Sequence, residues 1–250
     1  MLVIYPGTRS RRRKGQVSLS SPRTAVQRAT SIYEVLRERL VSGEYPQGAR
    51  ISVEEVRAEL AVSKQPVMQA LRQLSADGLV EIIPQVGSVA SIYPVREIAD
   101  FYDVFAGIEG AAAAAAASRR DDEQLSELRE ISTRIASLRG HPDPGFRSHH
   151  YRNLNRDFHG KIHEMARSQI IVESSRRMWD LSDFLIATAG ATQPLAGAIG
   201  SRHHDHEEVR NAIEQGDADE AREQMASHIR GTFALIFTEV TNINLGRLPR

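Results

Sequence analysis

The 250-residue chain contains no cysteine, which removes disulfides, thiolate metal sites and cysteine nucleophiles from consideration. Any metal must be held by His, Asp, Glu or Asn. Long apolar runs are also missing: no stretch approaches the roughly 18 residues of a membrane-spanning helix. The opening Met1-Leu-Val-Ile-Tyr5 is too short for a signal-peptide core and has no basic segment before it. The expectation is a cytoplasmic protein with no membrane contact. Net charge is zero, with 32 basic and 32 acidic residues. That balance hides an asymmetry: residues 1–94 carry 13 Lys+Arg against 8 Asp+Glu, and the rest carry 19 against 24. A basic first part is what phosphate contact requires.

What is present is ordinary for a folded soluble chain, 41% hydrophobic and 26% charged. The length suits two modules, each able to bury a core.

Residues 1–26 contain Arg9-Ser-Arg-Arg-Arg-Lys14 and no apolar period, so they read as a basic arm, either an unstructured leader or a segment that touches DNA. From Ala25 to Val41, Ile32, Val35, Leu36 and Leu40 recur at helical spacing until Gly43 and Pro46. Ser52-Val-Glu-Glu55 is a capping box opening a short second helix through Leu60. A third helix is expected from a Ser63 cap to Ala76, with Pro66 in its first turn and Gly78 as its left-handed stop. Two β-prone pieces follow, 79–83 and 88–92, joined by the turn-forming Pro84-Gln-Val-Gly87. Three helices and a hairpin make a winged helix-turn-helix, spanning 27–94.

After Pro94 the pattern is helical throughout, over 95–119, 121–138, 148–167, 169–188, 194–215 and 217–242, with a tail from 244 to 250. The expected fold class is therefore mainly α: a winged helix-turn-helix followed by an all-helical antiparallel bundle over 95–243.

The third helix divides its residues by face. Val67, Ala70, Leu71 and Leu74 form one apolar stripe, leaving Lys64, Gln65, Met68, Gln69 and Arg72 on the other faces. A recognition helix needs this division, since long polar side chains near its N-terminal end must reach base edges or phosphates.

The run from Leu60 to Val80, with Gly48-Ala-Arg-Ile51 before it and Gly87 after, resembles the DNA-binding domain of the GntR family of bacterial regulators. The resemblance implies that Arg50, Lys64, Gln65, Met68, Gln69, Arg72 and Gly87 face DNA. Met68 stands where that family commonly has arginine. The rest of the chain resembles the FCD subgroup, through Glu109 and the alanine run after it, Asn155-Arg-Asp-Phe-His159, and His206 to His228 around Gln215-Gly-Asp217.

That second resemblance implies a small-molecule effector and, in metal-binding members, a divalent ion such as zinc or nickel, here on Asn155, His159, His206 and His228. Asn155 takes the place of a frequent aspartate. His206 precedes Gly216 by nearly three turns and His228 follows it by about three, so two antiparallel helices joined there bring both imidazoles to similar depth. The effector pocket is expected around Phe105, Arg152, His163 and Arg210, with Phe105 standing where many members have an arginine.

The function implied is a ligand-responsive, homodimeric transcription regulator, a repressor released from operator DNA by a metabolite, and not an enzyme. The alternative is a metal-dependent hydrolase or lyase using the histidines, which would need an activated water and a general base beside the ion.

Overall fold

A computed structural model describes residues 25–189 and 195–246, with side chains placed for 32–189 and 195–237. The basic arm and the last residues of the chain lie outside the described residues almost entirely.

The first helix, α1 (Ala25–Val41), buries Ile32, Leu36 and Leu40 against α3 (Lys64–Ala76). The intervening α2 (Val53–Glu59) is capped by Ser52, whose hydroxyl accepts from the Glu55 amide at 3.3 Å. Ser63 occupies the N-cap of α3 but makes no side-chain cap bond. Gly78 ends α3 at φ +85°, and the Leu79 amide then donates to the Leu74 carbonyl.

The sheet has one more strand than the sequence suggested. Beside β2 (Val80–Ile83) and β3 (Gly87–Ala90) runs β1 (Arg50–Ile51), and the order β1-β3-β2 is antiparallel throughout. Two residues are too few to show a period of two, so β1 was invisible to pattern. Its pairing, Arg50 with Val89 and Ile51 with Ser88, ties the wing to the α1–α2 connection.

Among the described residues six longer helices follow: α4 (Val95–Arg119), α5 (Asp122–Ser137), α6 (Pro144–Ala166), α7 (Gln169–Thr188), α8 (Ile199–Gln215) and α9 (Ala218–Gly246). Three boundaries differ from expectation by more than one residue. α6 starts at Pro144 rather than 148, because Asp143 accepts from the Gly145 amide at 2.8 Å and proline suits the first helical position. α8 starts at Ile199 rather than 194, after a turn at 195–198. α9 continues through Gly246.

The alanine run brings α4 close to α9. A Cβ on Gly110 would stand 2.9 Å from the Arg222 carbonyl oxygen, so the two backbones meet where a side chain has no room. Gly216, at φ +77°, closes α8, and Asp217 caps α9 by accepting from the Glu220 amide at 3.0 Å. This local chemistry sets α8 and α9 antiparallel.

The two sets of elements touch through α1, α6 and α7. Arg37 donates to Asp180 Oδ1 at 2.9 Å, Arg152 to the Val41 carbonyl at 3.1 Å, and Gln47 to Thr188 Oγ1 at 3.1 Å. No helix among the described residues is long and apolar enough to cross a membrane.

Candidate functional site

The α3 stripe divides as its sequence demands. Val67, Ala70, Leu71 and Leu74 are all buried, while Lys64, Gln65, Gln69 and Arg72 are exposed. Met68 is half-buried and packs on the core. Arg50 is exposed on β1, and the wing turn brings Gly87 next to it: a Cβ on Gly87, at φ +112°, would lie 4.0 Å from the Arg50 guanidinium. The fold thus gathers Arg50 and Gly87 at the wing and the polar residues of α3 along one helix. These side chains keep their length in solvent, the condition for reaching a groove or a phosphate.

The second constellation lies inside the bundle. His159 on α6, His206 on α8 and His228 on α9 are all buried, and each offers a nitrogen within 4.8 Å of the others. The Nε2 atoms of His206 and His228 are 3.1 Å apart. Tetrahedral zinc with Zn–N bonds of 2.0–2.1 Å separates two ligand nitrogens by about 3.3 Å, so this pair already stands near ligand spacing. His159 Nε2 and His206 Nδ1 are buried with no hydrogen-bond partner. A buried polar atom left so is costly unless something satisfies it.

The surroundings of the three rings differ. His159 Nδ1 donates to Glu109 Oε2 at 3.2 Å, and His228 Nδ1 lies 3.3 Å from Asp205 Oδ2. Arg202 donates to His228 Nε2 at 3.0 Å, to Thr232 Oγ1 at 2.9 Å and to Asp205 at 3.2 Å. Asn155 keeps its place beside the site: with Arg202 and His228 it lines a small cavity, and its Oδ1 accepts from Tyr151 at 3.3 Å. Asp157 is exposed on another face of α6.

Burial sets the protonation of the cluster. Loss of water lowers the His206 and His228 imidazoles well below their usual range, with the Arg202 charge adding to it. Burial also lowers His159, although Glu109 opposes it. For Glu109 burial acts upward, but the hydrogen bonds from His159 and His163 lead the effects that outweigh it and hold the carboxyl down at about 2. Three neutral imidazoles over an ionised carboxylate are in the form that binds a cation.

The small cavity, of about 20 Å³, adjoins the cluster at His228 and is lined also by Phe105, Tyr151, Asn155, Trp179 and Arg202. That is room for one water or one ion. Phe105 is fully buried, edge-on to Trp179 at 5.1 Å between centroids. Its ring fills space that an arginine at this position would claim for charge.

The other residues expected at the pocket are placed elsewhere. His163 is near, but its Nε2 donates to Glu109 Oε1 at 2.8 Å and not into the cavity. Arg152 faces α1, bonding Val41 and pairing with Glu38. Arg210 pairs with Glu207 and Glu214 on its own helix. Sequence reasoning passed over Arg202 and Trp179. Arg202 had a signal, since it lies four residues before His206, one turn along the same face, as Asn155 does before His159. Trp179, whose ring centroid is 4.4 Å from that of His159, had none.

Two family models match the chain: "Bacterial regulatory proteins, gntR family" over residues 28–89 and "FCD domain" over residues 100–231. The chain belongs to the FCD-containing gntR family. Among curated relatives, this gntR-family regulator is 27% identical to the HTH-type transcriptional repressor RspR of Escherichia coli K12, over 80% of this chain and 84% of that one. It is 25% identical to an HTH-type transcriptional regulator from an unstable DNA locus of Streptomyces ambofaciens, over 81% and 82%. Its fold is similar to that of E. coli McbR/YncC, with TM-score 0.72 and 17% identity over 85% of this chain and 98% of that one. A gntR-type structure from Rhodococcus sp. RHA1 gives 0.67 and 20%, over 84% and 98%.

Membership makes the protein a ligand-responsive, DNA-binding transcription regulator. It is not a hydrolase or lyase, the alternative that the histidines alone left open.

Proposed function

We propose that this regulator is a homodimeric, cytoplasmic repressor whose hold on operator DNA is set by a divalent ion and a small effector in the histidine pocket. The domain limits are those read from sequence, 27–94 for DNA and 95–243 for ligand. Arg50, Lys64, Gln65, Met68, Gln69, Arg72 and Gly87 form the DNA face, with Lys64, Arg72 and Arg50 carrying the phosphate and guanine contacts. The exposure of Arg50, Lys64, Gln65, Gln69 and Arg72 beside a fully buried α3 stripe supports this reading. A second copy follows from the small apolar surface that a winged helix of this size can spare, and from the two half-sites such heads read.

The observation that carries the metal reading is the convergence of three buried histidine nitrogens, with His159 Nε2 unpartnered. His159, His206 and His228 would hold zinc or nickel, with Asn155 beside them as an amide oxygen donor. A bound ion supplies a Lewis-acidic position for an oxygen of the effector. Arg202 must then release His228 Nε2, and Asp205 and Thr232 remain as its partners. The 20 Å³ cavity beside His228 has room for no more than a water or an ion, so a metabolite requires it to open around Phe105 and Trp179.

Native mass spectrometry of untagged protein tests both points at once. It should show a dimer with one metal per protomer, and the metal should be lost in His206→Ala. Substoichiometric metal that is unchanged in that variant would remove the ion and leave an effector pocket alone. A mobility shift on fragments of the gene's own promoter, with and without zinc, tests the regulator reading.

A further inference from the structure

Glu109 is a fully buried carboxylate, and both of its oxygens are committed to side chains from other helices. Oε2 accepts from His159 Nδ1 at 3.2 Å; Oε1 accepts from His163 Nε2 at 2.8 Å and from Ser175 Oγ. Its backbone is equally constrained, because the next residue, Gly110, sits where α4 and α9 leave no space for a Cβ. An ionised carboxylate only accepts, so the ring nitrogens facing it must carry the protons. His159 is thereby fixed as the Nδ1–H tautomer. Its lone pair is on Nε2, an atom that is buried and without a hydrogen-bond partner, in a ring that offers a nitrogen within 4.8 Å of those of His206 and His228.

On this geometry we infer that Glu109 is the positioning residue of the metal site: it sets the tautomer and ring orientation of His159 and makes that imidazole the anchoring ligand. The inference rests on the metal reading above. It also accounts for the charge of the site. The three imidazoles and the Asn155 amide are neutral donors, so they bring no counter-charge to a divalent ion. Glu109 delivers a negative charge one bond removed, through the His159 ring, and a carboxylate placed this way raises the basicity of the ligand. Asp205 stands in the same relation to His228 but is far more exposed, with 36% of its side chain open to solvent. Water weakens the charge of Asp205, and Glu109 keeps its own at full strength. His163 and Ser175 hold Glu109 from the side away from His159 and have no part in the ligand set.

The test is a zinc titration of the full chain, read by the fluorescence of Trp179, the single tryptophan, which packs on His159. Glu109→Gln keeps the shape and removes the charge. It should weaken zinc binding by about 10- to 100-fold. His163→Gln, which breaks only the support of Glu109, should stay within about threefold of wild type. A second measurement needs no metal and no variant: in the histidine nitrogen NMR spectrum of the apo protein, His159 should be the Nδ1–H tautomer. If wild type binds zinc and Glu109→Gln binds it within threefold, Glu109 is only a structural partner and the inference falls alone. If wild type binds no zinc, the metal reading falls and takes the inference with it. Should Glu109→Gln fail to fold, an Nε2–H tautomer at His159 in wild type would overturn the proposal by itself.

Discussion

The DNA-facing unit and the helical bundle handle polar groups in opposite ways. Among the described residues before Pro94, the buried polar or charged side chains are two serines of the wing region, Ser88 and Ser91. In the bundle they include Glu109, His159, His163, Asp183, Arg202, His206 and His228. The first unit stacks an apolar stripe inward and displays its chemistry outward, so its function and its stability reside in different atoms. The bundle keeps its chemistry inside the core, where each functional group is also a packing and solvation problem. Loss of function without loss of fold is therefore available to the first unit and largely denied to the second.

The largest effect that would break this contrast concerns Phe105. Phe105→Ala should cost about 3 to 5 kcal/mol, since the ring is fully buried against Trp179 and Phe101. Chemical denaturation measures it. A loss under about 1 kcal/mol would mean that the pocket is already open and that its chemistry is not built into the core.

Next comes acid. The His159, His206 and His228 imidazoles are depressed in the fold, mainly by burial, while in the unfolded chain each titrates near its usual 6.5. Below that pH the unfolded state takes up protons that the folded state refuses. Stability is thus complete above about pH 7 and falls as the pH drops through 6.5, by about 1.4 kcal/mol per histidine for each full unit. Melting curves between pH 8 and 5.5 should show this slope, and zinc should flatten it by competing with protons. Glu109, held at about 2, adds a further loss only below its unfolded value of 4.5. A melting temperature flat from pH 8 to 5.5 would mean that the histidines are solvated.

The surface of the first unit should behave otherwise. Lys64→Ala with Arg72→Ala should weaken operator binding by about 2 to 3 kcal/mol together, roughly 30- to 150-fold, at moderate salt. Circular dichroism and melting temperature should stay unchanged. Unaltered affinity in a gel shift would show that another face of α3 meets DNA.

The smallest effect lies where the two regions meet. Arg37→Ala removes one of the two guanidinium groups on Asp180, the other being Arg156 at 2.9 Å. Asp180 is buried and Arg37 a quarter exposed, but Arg156 stays on the carboxylate, so the loss should be about 1 kcal/mol. Thermal unfolding that separates into two transitions in this variant would show that Arg37 holds the DNA-binding unit to the bundle.

The sequence by itself determined whatever local chemistry controls. The Ser52 cap, the left-handed glycines at 78 and 216 and the α3 stripe each act within a few residues of chain, and the structure bears them out. His206 and His228 could be placed at one depth because Gly216 sets the hairpin of α8 and α9, and the missed helix start at Pro144 was equally local, a proline at a first helical position read as a break. Tertiary structure alone decided the partners. Glu109 meets His159 and His163 across 50 and 54 residues of chain, and Arg152 reaches Glu38 across 114. Periodicity tells which face of a helix is buried, but not which of several buried polar groups will meet there. That depends on the crossing of α4, α6 and α7, and the close approach allowed by the alanine run and Gly110 fixes how deep Glu109 lies.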